Sequence, residues 1–250
     1  MTPNDLLDTY LRQLRLPTFA SSYRAFAADA ARNNLDHTRF LLALAEQEVN
    51  QREQNMIFRR TKEAHFPVHK ELADFDFSAI PNLNKALILD LARGEYLQHR
   101  QSIIFVGNPG LGKTHLAISL ALAACREKRK VRFWTAASLV NALLQAQDNH
   151  QLERFMHQAL KLDLVVLDEL GFIPLSDEGA RVLFTFCSEL YERVPFIITT
   201  NLKFADWVQV FGSERLTAAL LDRLTHHAQI IELIGESFRF KHRAIHETNR

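Results

Sequence analysis

Apolar positions along the first ~70 residues recur every three or four places, the period of an α-helix with one buried stripe. Leu7, Tyr10, Leu11 and Leu14 form the first such stripe, behind a start signal in which Thr2 caps, Pro3 opens the helix and Asp5 faces its positive end. Phe19, Tyr23, Phe26, Ala27 and Ala30 form a second, ending at Asn33-Asn34. A third helix, from about Thr38 to Lys62, puts Leu41, Leu44, Ala45 and Val49 on one face. The segment has no Gly and no alternating run, so it predicts a small all-helical unit suited to packing or self-association. From Ala64 to Pro81 the pattern is irregular, with His65-Phe66-Pro67, Phe75-Asp76-Phe77 and Ile80-Pro81 reading as a connector. Beyond Leu83 short apolar runs alternate with helical ones. Strands are predicted at Ser102–Val106, Val131–Thr135, Leu164–Leu167, Pro195–Thr199 and Gln229–Leu233, and helices at Lys113–Arg126, Ala136–Gln147, Leu152–Leu160 and Asp177–Glu192. Such alternation makes an α/β domain with a parallel sheet flanked by helices. The expected division is residues 1–70, helical, and residues 71–250, α/β.

Composition narrows the class without naming a partner. Lys+Arg number 30 and Asp+Glu 29 in 250 residues, so net charge gives no sign of a nucleic-acid ligand and any basic surface must be local. Cys125 and Cys187 are the two cysteines, far apart, which excludes a disulfide framework or a cysteine-rich zinc site and suits a reducing cytoplasm. Met1–Leu14 carries Asp5 and Asp8 and does not read as a signal peptide. The most apolar stretch, Leu116–Cys125, is about half the ~20 residues a membrane-spanning helix needs. No membrane is expected.

Chemistry begins directly after the first strand. Gly107-Asn108-Pro109-Gly110-Leu111-Gly112-Lys113-Thr114 matches G-x-x-x-x-G-K-[ST], with His115 continuing into a helix. Small residues let the loop N–H groups turn inward on a polyphosphate, and the new helix points its positive end at it. Lys113 is placed to reach the β- and γ-phosphates of ATP, and the Thr114 hydroxyl to ligate Mg2+.

The second half of such a site is an acid at the end of another buried strand, which Leu164-Val165-Val166-Leu167-Asp168-Glu169 supplies. Asp168 suits the Mg2+ shell and Glu169 a general base that polarises the attacking water. Without the phosphate loop, this strand end would read as a solvated turn. Asn201, closing Phe196-Ile197-Ile198-Thr199-Thr200-Asn201, either holds that water or merely caps the next turn.

Phosphate loop, Asp-Glu strand and Thr-Asn strand in this order resemble the AAA+ ATPases, and Gly112-Lys113-Thr114-His115-Leu116 resembles their DnaA/DnaC branch. Leu167–Leu175, Val210–His226 and Gly235-Glu236-Ser237-Phe238-Arg239 are similar to the IstB family, helper ATPases of bacterial insertion sequences; Phe238 stands where that family more often has Tyr. The resemblance implies an ATP-hydrolysing homo-oligomer that binds and remodels double-stranded DNA and recruits or stimulates an IstA-like transposase. A DnaC-like helicase loader is the alternative. It further implies an arginine reaching the γ-phosphate held by a neighbouring subunit: Arg223 by its place in the motif, Arg215 second, or else a surface arginine of the Ser213–Thr225 helix. Too few residues follow that helix for a full C-terminal lid, leaving Arg239 as the candidate sensor. Phe75-Asp76-Phe77 is expected at an adenine pocket or in simple packing. For DNA there are three basic clusters, Arg59-Arg60-Lys62, Arg126-Lys128-Arg129-Lys130-Arg132 and Arg239-Lys241-Arg243, each of which could equally be a solvated helix end.

Overall fold

Alternate residues of the run Leu164–Leu167 are buried on opposite faces of one sheet. Leu164 and Val166 join the core that includes Leu116, Leu120 and Ile88, whereas Val165 and Leu167 join the core that includes Leu139, Leu143 and Phe186. Ile103 and Phe105 against Ile104 and Val106 divide in the same way. A strand covered on both faces has no use for a polar alternation, so these segments are continuously apolar. Each fully buried Leu, Ile or Val contributes about 1.5–3 kcal/mol of transfer free energy, which explains why the sheet centre tolerates almost nothing else.

In the computed structural model, which describes residues 2–235 and 237, three helices come first: α1 (Pro3–Gln13), α2 (Pro17–Arg32) and α3 (His37–Ala64). Single turns of 3-10 helix at Leu72–Asp74 and Phe77–Ala79 punctuate the connector. There follow α4 (Lys85–Leu91), α5 (Glu95–Gln98), β1 (Ser102–Gly107), α6 (Lys113–Arg126), β2 (Val131–Thr135), α7 (Ala136–Asp148), α8 (Leu152–Ala159), β3 (Leu164–Leu170), α9 (Asp177–Leu190), β4 (Phe196–Thr200), α10 (Val208–Phe211), α11 (Glu214–Thr225) and β5 (Ala228–Leu233). All five strands run parallel in the order β2-β3-β4-β1-β5. Two compact units result, Met1–Arg59 and Arg60–Arg250.

Within the first unit, α1 begins with a reciprocal cap: Thr2 N–H donates to Asp5 Oδ2 at 2.8 Å and Asp5 N–H to Thr2 Oγ1 at 3.3 Å. Leu11, Tyr23 and Leu44 form the small core. The expected face of α3 is only partly the packed one. Leu41 and Val49 are exposed, and the buried positions are Leu44 and Glu48, because the row that meets Leu11 and Tyr23 advances by four residues. Leu7, Tyr10 and Leu14 are likewise exposed, leaving Leu11 as the buried residue of α1. α2 has no side-chain cap of its own. Glu48 supplies one from α3, its Oε2 accepting from Thr18 N–H at 2.9 Å and Phe19 N–H at 3.3 Å while Arg52 Nε donates to Oε1 at 2.7 Å. Burial pushes the Glu48 carboxyl up, but Arg52 and the helix N-terminus outweigh it and hold the group below its ordinary value. Among the described residues, no helix is long and apolar enough to cross a membrane.

Candidate functional site

β1 delivers the phosphate loop to the strand-end edge of the sheet, beside the end of β4, where Val106 pairs with Thr200. Two glycines are required there by contact as well as by conformation. A Cβ on Gly107 (φ +151°) would stand 2.3 Å from the Leu233 carbonyl oxygen, and one on Gly112 (φ +82°) 2.6 Å from the Phe75 ring. Gly112 ends the loop and α6 starts at Lys113, so the loop meets a helix N-terminus as the motif requires. Lys113 Nζ donates to the carbonyls of Gly107 (2.7 Å) and Asn108 (2.9 Å), which curls the side chain over its own loop.

Opposite the start of α6 stands Asp168, 3% exposed. Thr114 Oγ1 lies 2.8 Å from its Oδ1 and 3.1 Å from its Oδ2. Thr199 Oγ1 donates to Oδ1 at 2.5 Å. Burial pushes this carboxyl up, opposed by the Thr199 and Thr114 hydroxyls, the Lys113 ammonium and the Glu169 N–H. A hydroxyl and a carboxylate this close form an all-oxygen donor pair, which fits a hard cation such as Mg2+.

Glu169 follows at a defect in the sheet. The β3–β4 register runs Leu167↔Ile198 and then Leu170↔Thr200, so Asp168 and Glu169 together oppose Thr199. This is a bulge. Glu169 takes a left-handed conformation (φ +59°), and its N–H donates to Thr199 Oγ1 at 2.9 Å. Regular pleating would already send neighbouring side chains to opposite faces. The bulge instead keeps Asp168 enclosed while Glu169 is exposed on a cleft of about 430 Å³ that Lys113, Thr114 and Asn201 also line. Leu202 N–H donates to Thr200 Oγ1 at 3.1 Å, turning the chain at half-buried Asn201.

The other side of the cleft is the connector, with Phe75 and Ile80 among its lining residues. His115 Nε2 pairs with the Glu71 carbonyl oxygen at 2.8 Å, Ser119 Oγ donates to Lys70 O at 3.0 Å, and Arg126 pairs with the Glu71 carboxylate. Three side chains of α6 thus hold residues 70–71, and Phe75 packs edge-on against both His115 and Phe77. His115 therefore lines the cleft and anchors its wall at once. Sequence reasoning gave no warning of Ser119, nor of Thr199, whose hydroxyl links both acids. Ser237, named only within a family-like run, was given no place at the site. A Cβ on Gly110 would come 2.1 Å from Ser237 Oγ, so Ser237 lies against the phosphate loop.

Gly107, Asn108, Pro109, Gly110, Leu111, Gly112, Lys113, Thr114, Asp168, Glu169 and Asn201 are thus brought to one edge of the sheet. Arg223 is not. It lies in the last turn of α11, just before β5 begins opposite Ser102, at the strand-start edge. Its guanidinium sits 5.0 Å over the Phe184 ring and donates to Ala219 O at 3.2 Å. Arg215 is exposed in the first turn of α11. The middle basic cluster is largely engaged within the fold: Arg126 with Glu71, Arg129 with Asp163, and Arg132 over the Trp134 ring and on Glu63 O. Arg60 pairs with Glu63. Arg239, Lys241 and Arg243 lie outside the described residues.

The parallel strand order, the loop leading into α6 and the bulged Asp-Glu strand define the AAA+ class of P-loop NTPase fold. Solved structures agree at the level of fold. The DnaC helicase loader superposes with TM-score 0.53 at 20% identity, over 70% of this chain and 99% of that one. DnaA bound to AMPPCP and single-stranded DNA gives 0.54 at 21%, over 72% and 55%. Residues 9–245 match the IstB-like ATP binding protein family, and the chain belongs to it. A relative from insertion sequence IS5376 of Geobacillus stearothermophilus is 34% identical over 95% of each chain. Another, from IS232 of Bacillus thuringiensis subsp. berliner, is 35% identical over 94% of each.

Proposed function

We propose that this protein is an ATP-hydrolysing helper of transposition, which assembles as a homo-oligomer on double-stranded DNA, remodels it and recruits or stimulates the transposase of its element. Membership of the IstB-like family and relatives drawn from insertion sequences support this over a helicase loader, whose likeness is one of fold.

The observation that carries the chemistry is the bulge that hides Asp168 against Thr114 and exposes Glu169 on the cleft. The N–H groups of residues 110–114 and the Lys113 ammonium bind the phosphates, with Lys113 exchanging its loop carbonyls for them. Phe75 and Ile80 offer an apolar wall for the base. Thr114 and Asp168 would hold Mg2+, which neutralises phosphate charge when bound. Glu169 accepts a proton from water as its oxygen attacks the γ-phosphorus. The bond from that phosphorus to the β–γ bridging oxygen breaks, giving ADP and phosphate. Asn201 orients the water through its amide, and Arg223 acts on the γ-phosphate of a neighbouring subunit. DNA is held by Lys and Arg contacts to phosphates and is read with little sequence preference.

Nucleotide titration and phosphate release test this together. Lys113→Ala is expected to lose ATP binding, and Glu169→Gln to bind ATP but not turn it over. Equal ATP affinity in Lys113→Ala and wild type overturns the site. Anisotropy with duplex DNA should show tighter binding with ATP than with ADP and a steep loss with salt; a salt-insensitive complex rules out the DNA role.

A further inference from the structure

At the strand-start edge, away from the nucleotide cleft, two turns carry three ligand-type side chains. Glu192 lies in the turn between α9 and β4, and His226 and His227 in the turn between α11 and β5. One donor atom from each of the three lies within 4.8 Å of the others, and all three side chains are exposed. The arrangement is fixed from outside. Tyr191 OH lies 3.1 Å from His226 Nδ1, and Arg100 Nη1 donates to the Glu192 carbonyl at 2.8 Å. The Arg100 guanidinium is engaged on that carbonyl and the Arg223 guanidinium on Phe184 and Ala219 O.

We propose that Glu192, His226 and His227 form a binding site for a divalent transition-metal ion of the zinc class. Two imidazoles and a carboxylate are a donor set that zinc accepts in open, three-protein-ligand sites, and one that Mg2+ with its preference for oxygen does not favour. Ligands about 2.0–2.2 Å from a tetrahedral ion stand about 3.4 Å apart, so these donors need to close by at most about 1.4 Å. Exposed side chains can do that by small rotations. The Tyr191 hydroxyl orients one ring from the second coordination layer. Glu192, His227 and Arg223 line one small cavity. A bound ion therefore ties the α9–β4 turn to the α11–β5 turn, close behind Arg223. Binding at this site does not depend on the role given to Arg223 or on nucleotide hydrolysis.

Co2+ is the probe, titrated into tag-free full-length protein in excess Mg2+, which occupies oxygen-donor sites. The expected result is a saturable visible ligand-field band at one equivalent per chain, removed by competing Zn2+. Tyr191→Phe is expected to weaken binding about 10–100-fold, as loss of an outer partner does. His226→Ala and Glu192→Gln are expected to weaken it more, and His150→Ala, remote in the turn after α7, to leave it unchanged. Zn2+ should also slow amide exchange in residues 191–194 and 225–227. Glu192, His226, His227 and His150 are exposed and Tyr191 is half-buried, so far-UV circular dichroism should report unchanged folding. No saturable band, or a band that survives in the double variant His226→Ala/His227→Ala, overturns the site.

Discussion

Thr199 Oγ1 donates to Asp168 Oδ1 at 2.5 Å and accepts from the Glu169 N–H at 2.9 Å, so one buried hydroxyl fixes both acids of the cleft. Valine fills the same volume but can do neither. Thr199→Val is expected to leave ATP affinity within a few-fold of wild type and to cut turnover about 10–100-fold, the usual effect of losing an orienting partner. Thr199→Ser should restore most of it. Steady-state ATPase assays with separate nucleotide titration decide the matter; equal loss in the serine and valine variants would mean packing alone is at stake.

Asp168 links the same site to pH. Its folded-state pKa is raised, chiefly by burial, above the ordinary 3.8. The folded state then binds the proton more tightly than the unfolded state, so stability falls as pH climbs from about 3.8 through the raised value. Asp168→Asn removes the buried charge while keeping an oxygen for the Thr199 hydroxyl. Without nucleotide, its melting midpoint at neutral pH should exceed that of wild type, and the gap should close on acidification. With ATP and Mg2+ the order should reverse, because the variant lacks the carboxylate that would hold the cation. Calorimetry across pH, with and without nucleotide, measures both.

In the helical unit the sign is opposite. Glu48 is held below its ordinary 4.5, so its contribution is complete above that pH and is lost as pH falls through the lower folded-state value. Glu48→Ala leaves the Thr18 and Phe19 N–H groups without their cap and Arg52 without its partner. A cost of about 1.5–3 kcal/mol is expected at neutral pH, typical for hydrogen bonds to a charged group. Amide exchange at Thr18 and Phe19 should speed up in the variant at pH 7 and converge with wild type in acid. Unchanged protection at pH 7 would remove Glu48 as the cap of α2.

These positions show where the sequence stops being legible. The phosphate loop, Asp168, Glu169, Asn201 and all five strands could be read from a fixed motif and apolar runs, because a fully buried strand admits little else. Thr199 could not be chosen over Thr200: only the bulge, which depends on pairing between β3 and β4, decides which hydroxyl meets the acids. Glu48 and Thr18 are thirty residues apart, and no local pattern announces a cap supplied from another helix. Leu41 and Val49 were expected in a packed face and are exposed, since periodicity gives a stripe on α3 but not the row that a neighbour covers. The basic run from Arg126 to Arg132 looks like a phosphate-binding surface in one dimension. In three, Glu71, Asp163 and Trp134 engage much of it.

Arg223 poses the sharpest test of assembly, because it lies at the sheet edge opposite the cleft. Stacking on Phe184 and the bond to Ala219 O hold its guanidinium in place at the end of α11. It lies at the opposite edge of the sheet from its own cleft, so the proposed role puts it in the cleft of another copy. An arginine supplied in trans stabilises charge on the transferring phosphoryl group and is worth about 10³–10⁵ in turnover in related systems. Arg223→Ala should therefore bind ATP as wild type does and hydrolyse it poorly, and wild-type turnover per chain should rise with protein concentration. Mixing Arg223→Ala with Lys113→Ala provides the decisive measurement. The first retains an intact cleft and lacks the arginine; the second lacks ATP binding and retains the arginine. Joint oligomers should contain productive pairs and regain part of the wild-type rate. If light scattering shows joint oligomers and no activity returns, Arg223 does not act across the interface. Arg215, exposed in the first turn of α11, then becomes the residue to substitute.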